Sequence, residues 1–363
     1  MILDYLFEKF TEENPPEVNM NGCINRFSKD IKCRICQDSC SFNAVKVKDK
    51  SVVFDEKLCN NCGICRAECP TAAIKIKGTG ESGLFNNSSE KRNIVFSCSM
   101  EATTGNLKIS CLNAIHPELI AALIIFHRDK KIHFNLSGCA SCELGFTDSI
   151  FMKSFDKALK FTHAIGINSD YEIHRDEEKI SQYVDEEISR RDLFKLIRAE
   201  SGKVAAKTIS VITDGEDSLP VRRLLLKLVS DLDLEVDTDY TELFWNHWSV
   251  SEKCDGCKKC ESVCLGDAWK IENEDGAIKI YNRLGSCFKC GLCEKNCPKG
   301  AISKSFPVKM KLNEYDLKRE IALTTCSTCG NRFISEYSGK EQCPVCIKKE
   351  LLRKKISSAS NSN

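Results

Sequence analysis

No stretch of this 363-residue chain stays apolar for the roughly 20 residues that a bilayer-crossing helix needs. The longest apolar run, Leu119 to Phe126, has the length of a buried helix segment. Excess charge is missing as well: 53 Lys and Arg against 52 Asp and Glu leave a formal net charge of +1. Charge therefore gives no general argument for nucleic acid or for an anionic membrane surface. The opening residues MILDYLFEKFTEEN carry acidic side chains and no long apolar core, so they do not read as a secretory signal. SRRDLFK, Ser189 to Lys195, has the twin arginines of an export motif, but it lies mid-chain and the charged LIRAESGKVAAK follows it. It reads as the capped start of an amphipathic helix. No Walker loop or nucleophile constellation appears, so the usual signals of a kinase or hydrolase are absent. The six histidines show no ligand spacing among themselves, and surface or core roles are expected for them.

What the chain has in excess is cysteine, 24 in all. A chain of this length can bury a core without disulfide staples. Nearly all the cysteines fall in groups gapped by two residues, which suits metal ligation better than a disulfide framework. Reduced thiols imply the cytoplasm or an equivalent compartment.

Three copies of one motif are complete: CNNCGICRAECP from Cys59, CDGCKKCESVCL from Cys254 and CFKCGLCEKNCP from Cys287. Each reads Cys-x2-Cys-x2-Cys-x3-Cys; Pro70 and Pro298 follow two copies, and Leu265 takes that place in the other. Thiolates bind iron as anions, and two-residue gaps let the chain wrap one corner of a cube with three sulfurs. The fourth cysteine reaches a neighbouring cluster, so such motifs come in pairs. Zinc also accepts four thiolates, but usually from two separated Cys-x2-Cys knuckles. The copies at Cys254 and Cys287 pair across WKIENEDGAIKIYNRLGS, which reads as a hairpin turning around Glu274, Asp275 and Gly276.

The copy at Cys59 needs a partner, and CINRFSKDIKCRICQDSC is the candidate. It keeps Cys33-x2-Cys36-x3-Cys40 but has Asp30 where a first cysteine is due; Cys23 lies seven residues earlier. Its flanks match the intact copies. Four residues after each final cysteine comes an alanine and then a large apolar residue: Ala44-Val45, Ala73-Ile74, Ala268-Trp269 and Ala301-Ile302. The connector VKVKDKSVVFDEKL also reads as a hairpin, around Lys48 to Lys50. The first copy is therefore expected to be live, its missing ligand moved to Cys23 by a loop folding back through Asp30.

On these motifs, residues 20–78 and 250–306 each resemble a bacterial-type two-cluster ferredoxin domain, a pseudo-symmetric α+β unit holding two [4Fe-4S] cubanes. The resemblance implies four ligand sets: Cys254, Cys257, Cys260 and Cys297; Cys264, Cys287, Cys290 and Cys293; Cys40, Cys59, Cys62 and Cys65; and Cys33, Cys36 and Cys69 completed by Cys23.

Between these domains, residues 93–249 read as a small α/β domain. GTGESGLFNNSSEKR makes residues 79–92 a linker; its Gly78, Gly80 and Gly83 lack the helix that a dinucleotide fingerprint requires. NIVFSC and LKISC read as buried strands, HPELIAALIIFHRD as a helix and KIHFNLSGCASC as a third strand. Cys98, Cys111, Cys139 and Cys142 fall at strand ends, where α/β sheets build sites. CLNAIHPELIAAL followed by GCASCELG is similar to a module of multi-cluster electron-transfer proteins and hydrogenase-associated iron–sulfur subunits. That similarity implies a fifth cluster, [2Fe-2S] or [4Fe-4S], against the alternatives of inert buried thiols or structural zinc. ISRRDLFKLIRAESGKVAAK and SLPVRRLLLKLVSDL read as amphipathic helices with the strand ISVITD between them, and Trp245 and Trp248 are expected to pack beside the motif at Cys254.

The tail holds CSTCGNRFISEYSGKEQCPVC, in which Cys326, Cys329, Cys343 and Cys346 have zinc-ribbon spacing over residues 320–350. The knuckles also resemble rubredoxin, which would hold a single iron, but the loop is short for it. Residues 1–19 are expected to form an N-terminal helix, and 351–363 a disordered tail. All 24 cysteines fall into six sets of four. The expected architecture is α+β: two ferredoxin-like units flanking a small α/β domain, with a C-terminal zinc ribbon. The expected activity is carriage of single electrons to or from a larger redox enzyme such as a dehydrogenase, hydrogenase or reductase, with no membrane partner. Two alternatives stand beside it: catalysis at the middle cluster, or an iron–sulfur sensor binding nucleic acid through the ribbon.

Overall fold

The computed structural model describes residues 16–26, 32–75, 91, 93–99, 101, 103–184, 220–232, 244–305, 312–334 and 341–360. Asp30, the linker glycines, the twin-arginine segment and ISVITD lie outside them. The chain forms two compact units, one made of Met1–Asn246, Gly285–Cys290 and Pro307–Asn313, the other of His247–Leu284, Gly291–Phe306 and Glu314–Asn363.

The first unit opens with β1 (Glu17–Val18), so the end of the expected N-terminal helix is strand instead. Then come α1 (Ile35–Asp38), the hairpin β2 (Val45–Lys48) and β3 (Ser51–Phe54), α2 (Ile64–Glu68) and β4 (Ile74–Lys75), which pairs antiparallel with β1. The hairpin turns at Lys48–Ser51, with Asp49 in the left-handed region. Gln37 on α1 accepts a hydrogen bond from the Val47 amide at 2.8 Å, fastening helix to hairpin.

The α/β part follows with β5 (Ile94–Cys98), β6 (Leu107–Ile109), α3 (Pro117–Phe126), β7 (Ile132–Asn135), α4 (Ser149–Ala164), β8 (Tyr171–His174) and α5 (Glu177–Ile180). The four strands form one parallel sheet in the order β6-β5-β7-β8. All five residues of β5 and all four of β7 are buried, as expected of parallel strands covered on both faces. The return from β5 to β6 is short and runs close against β5; a Cβ on Gly105 would lie 2.2 Å from Ser97 Oγ, so only glycine fits. α3 is buried over most of its surface, and Pro117 at its first turn needs no amide partner there. α4 buries Phe151, Phe155, Ala158 and Phe161, spaced three or four residues apart, and the first two pack on Phe134 of β7. The expected SLPVRRLLLKLVSDL helix is present as α6 (Pro220–Ser230).

The second unit repeats the plan of the first ferredoxin-like segment. β9 (Trp248–Val250), α7 (Lys259–Ser262), the hairpin β10 (Trp269–Glu274) and β11 (Ala277–Arg283), α8 (Leu292–Lys295) and β12 (Ile302–Lys304) appear in order, with β12 pairing antiparallel to β9. The hairpin turns on Asp275 and Gly276, both with positive φ, the type I′ preference. Glu261 on α7 accepts from the Ile271 amide at 3.0 Å, the counterpart of Gln37.

Two expectations change here. The C-terminal ribbon is not a separate body: β13 (Tyr315–Thr325) pairs with β11 at one end and with β14 (Arg332–Ile334) at the other, giving one sheet β10-β11-β13-β14. A β-bulge between Ile280 and Tyr281 absorbs the register shift. The tail expected to be disordered from residue 351 continues as α9 (Pro344–Ser360), with four lysines and two leucines and supported by a Glu350–Lys354 ion pair at 2.8 Å.

Candidate metal centres

In the three intact copies the chain winds the same way around the second cysteine. The residues before and after it are left-handed each time: Asn61 and Gly63, Gly256 and Lys258, Lys289 and Gly291. Consecutive turns of this kind aim backbone amides inward and form anion-binding concavities, the environment that sulfide-bridged iron and thiolates require. Lys258 adopts at φ 61° the conformation that glycine takes in the other two copies.

A second device is common to all four copies. The third residue after each final cysteine has positive φ: Asn43, Ala72, Asp267 and Gly300. The turn brings the next amide back: Ala73, Ala268 and Ala301 donate to the sulfurs of Cys69, Cys264 and Cys297 at 3.4, 3.2 and 3.3 Å. The repeated alanines thus have a physical reason. Ala44, Ala73, Ala268 and Ala301 are each 1% exposed, and a longer side chain there would not fit beside the cysteine.

The structure gathers the cysteines into sets. Cys40, Cys59, Cys62 and Cys65 line one pocket. Cys254, Cys257, Cys260 and Cys297 line another, wholly within the second unit. Burial first, then the neighbouring thiols, pushes Cys260 up to about 12 and raises Cys62 and Cys65. Such thiols stay protonated until a cation displaces the proton. Of the remaining expected set, Cys287 and Cys290 belong to the first unit, Cys264 and Cys293 to the second.

The irregular copy is assembled differently. Arg34, after Cys33, has φ −123° rather than a left-handed value, so the winding of the intact copies is not repeated there. Instead a 3₁₀ turn, Ile24–Arg26, carries Cys23 to the same pocket as Cys33, Cys36 and Cys69. Asn25 fixes it there: its side chain donates to the Cys33 carbonyl and accepts from the Cys33 amide, both at 2.8 Å. Its backbone amide also donates to the Cys23 sulfur. Burial, then Cys69, Cys33 and Cys23, pushes the Cys36 thiol up to about 12. Asn25 had no signal in the sequence, because its role depends on a contact eight residues away.

The middle cysteines are more loosely arranged. The Cys98 thiol donates to the Ser110 carbonyl at 3.1 Å and shares a hydrogen bond with Cys111. Cys139 is pushed up to about 11 by burial, with Asp148, Cys98 and Cys142 adding to it. A single zinc would need sulfurs about 3.8 Å apart, and the four do not gather so closely, whereas a multi-iron cluster spreads its thiolates over several irons. Cys111 also feels Cys62 electrostatically, so this group borders the Cys40, Cys59, Cys62 and Cys65 set. His116, which caps α3, accepts from the Glu118 amide at 3.2 Å and donates to the Cys69 carbonyl, tying the two parts together.

Cys326, Cys329, Cys343 and Cys346 place all their sulfurs within 4.8 Å of one another. The Cys329 and Cys343 sulfurs are 3.8 Å apart, the edge of a tetrahedron with bonds of about 2.3 Å. Cys326 is pulled down to about 6, first by the Cys343 amide, which donates to its sulfur at 3.2 Å and favours the thiolate. Trp245 lies in the first unit, where it packs against Phe161 and donates to the Gly285 carbonyl at 2.8 Å. The spacing of histidines gave no ligand set, yet His133 and His174 meet at Glu172.

A hairpin and two short helices, closed by a terminal strand pair around cysteine-lined pockets, define ferredoxin-type iron–sulfur domains, present twice. Residues 253–301 match the 4Fe-4S dicluster domain, and residues 52–75 match the 4Fe-4S binding domain. An uncharacterized ferredoxin of Methanocaldococcus jannaschii is 34% identical over 50 residues, 14% of this chain and 81% of the relative. The chain belongs to the 4Fe-4S ferredoxin family and is an iron–sulfur protein of the electron-transfer type. Among the described residues no helix is long and apolar enough to cross a membrane.

Proposed function

We propose that this protein carries single electrons through four [4Fe-4S] clusters, in the cytoplasm, to or from a larger redox enzyme such as a dehydrogenase, hydrogenase or reductase. The observation that carries the reading is the doubled ferredoxin plan with the same backbone winding at every intact motif. Cys23, Cys33, Cys36 and Cys69 hold one cluster, Cys40, Cys59, Cys62 and Cys65 the next. Cys254, Cys257, Cys260 and Cys297, and Cys264, Cys287, Cys290 and Cys293, hold the other two. Cys98, Cys111, Cys139 and Cys142 hold a fifth cluster, whose position beside Cys62 suits an electron relay. The C-terminal cysteines hold zinc. Bound clusters supply one-electron chemistry; the protein supplies the thiolates, the amides that stabilise them and the burial that sets their potentials.

Anaerobic purification with metal analysis and electron paramagnetic resonance tests this. The expected content is about 16 to 20 irons and one zinc per chain, from the cluster types assigned. Fewer than about 12 irons in fully reconstituted protein defeats the four-cubane reading.

Cys23→Ala is expected to remove one cubane, while Asn25→Ala, which keeps the thiol but loses both bonds to Cys33, is expected to weaken the same cluster only. An unchanged iron count in Cys23→Ala would make that cysteine a bystander. Cys346→Ala is expected to release the zinc and leave the iron unchanged, measured on the same samples.

A further inference from the structure

Outside the cysteine sets, three side chains converge at the edge of the parallel sheet. His133 stands on β7 in register with Glu172 of β8, and His174 follows two residues on. The two-residue period of a strand places all three on one face. His133 Nδ1 and His174 Nε2 are 2.9 Å apart, and each lies 4.0 Å from Glu172 Oε2. The centre of a triangle with these sides is about 2.1 Å from every corner, within the usual range of zinc–nitrogen and zinc–oxygen bonds. Three independent side chains thus already stand at coordination distance from one point.

The surroundings fit an ion held from inside and open on one side. The His133 and His174 side chains are 1% and 4% exposed, whereas Glu172 is 41% exposed. Tyr183, half-buried, lies over the His133 ring with centroids 4.1 Å apart and covers that side of it. His133 Nε2 has no hydrogen-bond partner, so the ring's polar contacts are made by Nδ1, which faces the centre. Lys131 Nζ sits 3.0 Å from the same Glu172 oxygen and orients the carboxylate as outer partners of metal ligands do. Its positive charge opposes a cation at the centre.

We propose that His133, Glu172 and His174 bind one divalent first-row transition ion, separate from the cysteine-held metals, with a remaining coordination position facing solvent beside Glu172. Two imidazoles and one carboxylate suit zinc or ferrous iron better than magnesium or calcium. A three-ligand site with an open position has the form of catalytic rather than structural zinc sites. The proposal does not depend on the electron-transfer reading, because no cysteine contributes to it.

The test uses the full chain, anaerobically loaded with iron–sulfur clusters and one equivalent of zinc, then titrated calorimetrically with Zn²⁺. The wild-type protein is expected to take up one further equivalent. Glu172→Gln, at an exposed position that keeps the fold, is expected to weaken that binding at least tenfold, and His174→Ala to abolish it; cluster absorbance unchanged in both reports intact folding. No additional equivalent in the wild type, or equal affinity in wild type and Glu172→Gln, overturns the proposal and leaves the pair of histidines as a hydrogen-bonded packing contact.

Discussion

Arg222→Ala is expected to destabilise the first unit by about 3 to 5 kcal/mol, the usual cost of leaving one partner of a buried ion pair uncompensated. Arg222 on α6 and Glu118 on α3 are 4% and 5% exposed at the side chain. The guanidinium donates to both carboxylate oxygens of Glu118, to the Gly285 carbonyl at 2.9 Å and to the Cys287 carbonyl at 2.7 Å. It also lies over the Phe288 ring at 4.7 Å. Removing it leaves the buried Glu118 carboxylate without its cation and takes a donor from the Cys287 carbonyl, while the Gly285 carbonyl keeps the bond from Trp245. Lysine at 222 is expected to recover only part of the loss, since a point charge cannot reproduce the fork. The double variant Glu118→Leu, Arg222→Met is expected to lie nearer the wild type than Arg222→Ala, because no unpaired charge stays inside. Denaturant unfolding under anaerobic conditions measures all three. A loss below about 1 kcal/mol for Arg222→Ala, the range of exposed pairs, would show that water reaches this pair.

The same pair gives a pH dependence whose sign is fixed. Burial pushes the Glu118 carboxyl up, but Arg222 more than offsets this and holds it below its ordinary 4.5. A depressed folded-state value contributes stability above the unfolded pKa and loses it as pH falls through the folded one. The difference between wild type and Glu118→Gln is therefore expected to be largest near neutrality and to shrink below about pH 4.5.

How far sequence reasoning reached depended on the range of the contact involved. Motif spacing and two-residue periodicity located the hairpins at Val45–Phe54 and Trp269–Arg283, because strand alternation and turn residues are local. α4 is legible on the same terms, through Phe151, Phe155, Ala158 and Phe161. β13 was hidden because most of its eleven residues are exposed or half-buried, so the core-facing alternation is weak. The helix at the chain end shows the opposite error: a run of charge reads as disorder, although Lys, Arg, Glu and Leu are good helix formers. Candidate sites divide in the same way. Sets built from one motif could be read from spacing, while Asn25 gripping Cys33, and His133 meeting residues about 40 positions away on β8, exist only once the chain is folded.

Cys260→Ala is expected to cost about four irons per chain, one whole cubane, while leaving the other clusters and the zinc in place. Cys260 lies at the first turn of α7, buried, and its proposed companions Cys254, Cys257 and Cys297 share its pocket within one unit. Three features would otherwise hold the cluster: the left-handed pair Gly256 and Lys258, the Ala301 amide on the Cys297 sulfur, and Ile278 packed 3.0 Å from where a Gly256 Cβ would stand. None of them supplies a fourth anion in place of the lost thiolate. Serine at 260 is expected to retain more iron than alanine, since a hydroxyl can still ligate although it is a harder donor. The second unit should keep its sheet, because β10-β11-β13-β14 pairs through backbone bonds that do not involve α7. Circular dichroism on the iron-depleted variant checks this independently of the metal count. A variant that lost iron from every cluster together would instead mean that the proposed clusters load as one cooperative assembly. The separate cysteine pockets at Cys36 and Cys65 in one unit and at Cys260 in the other argue for independent loading.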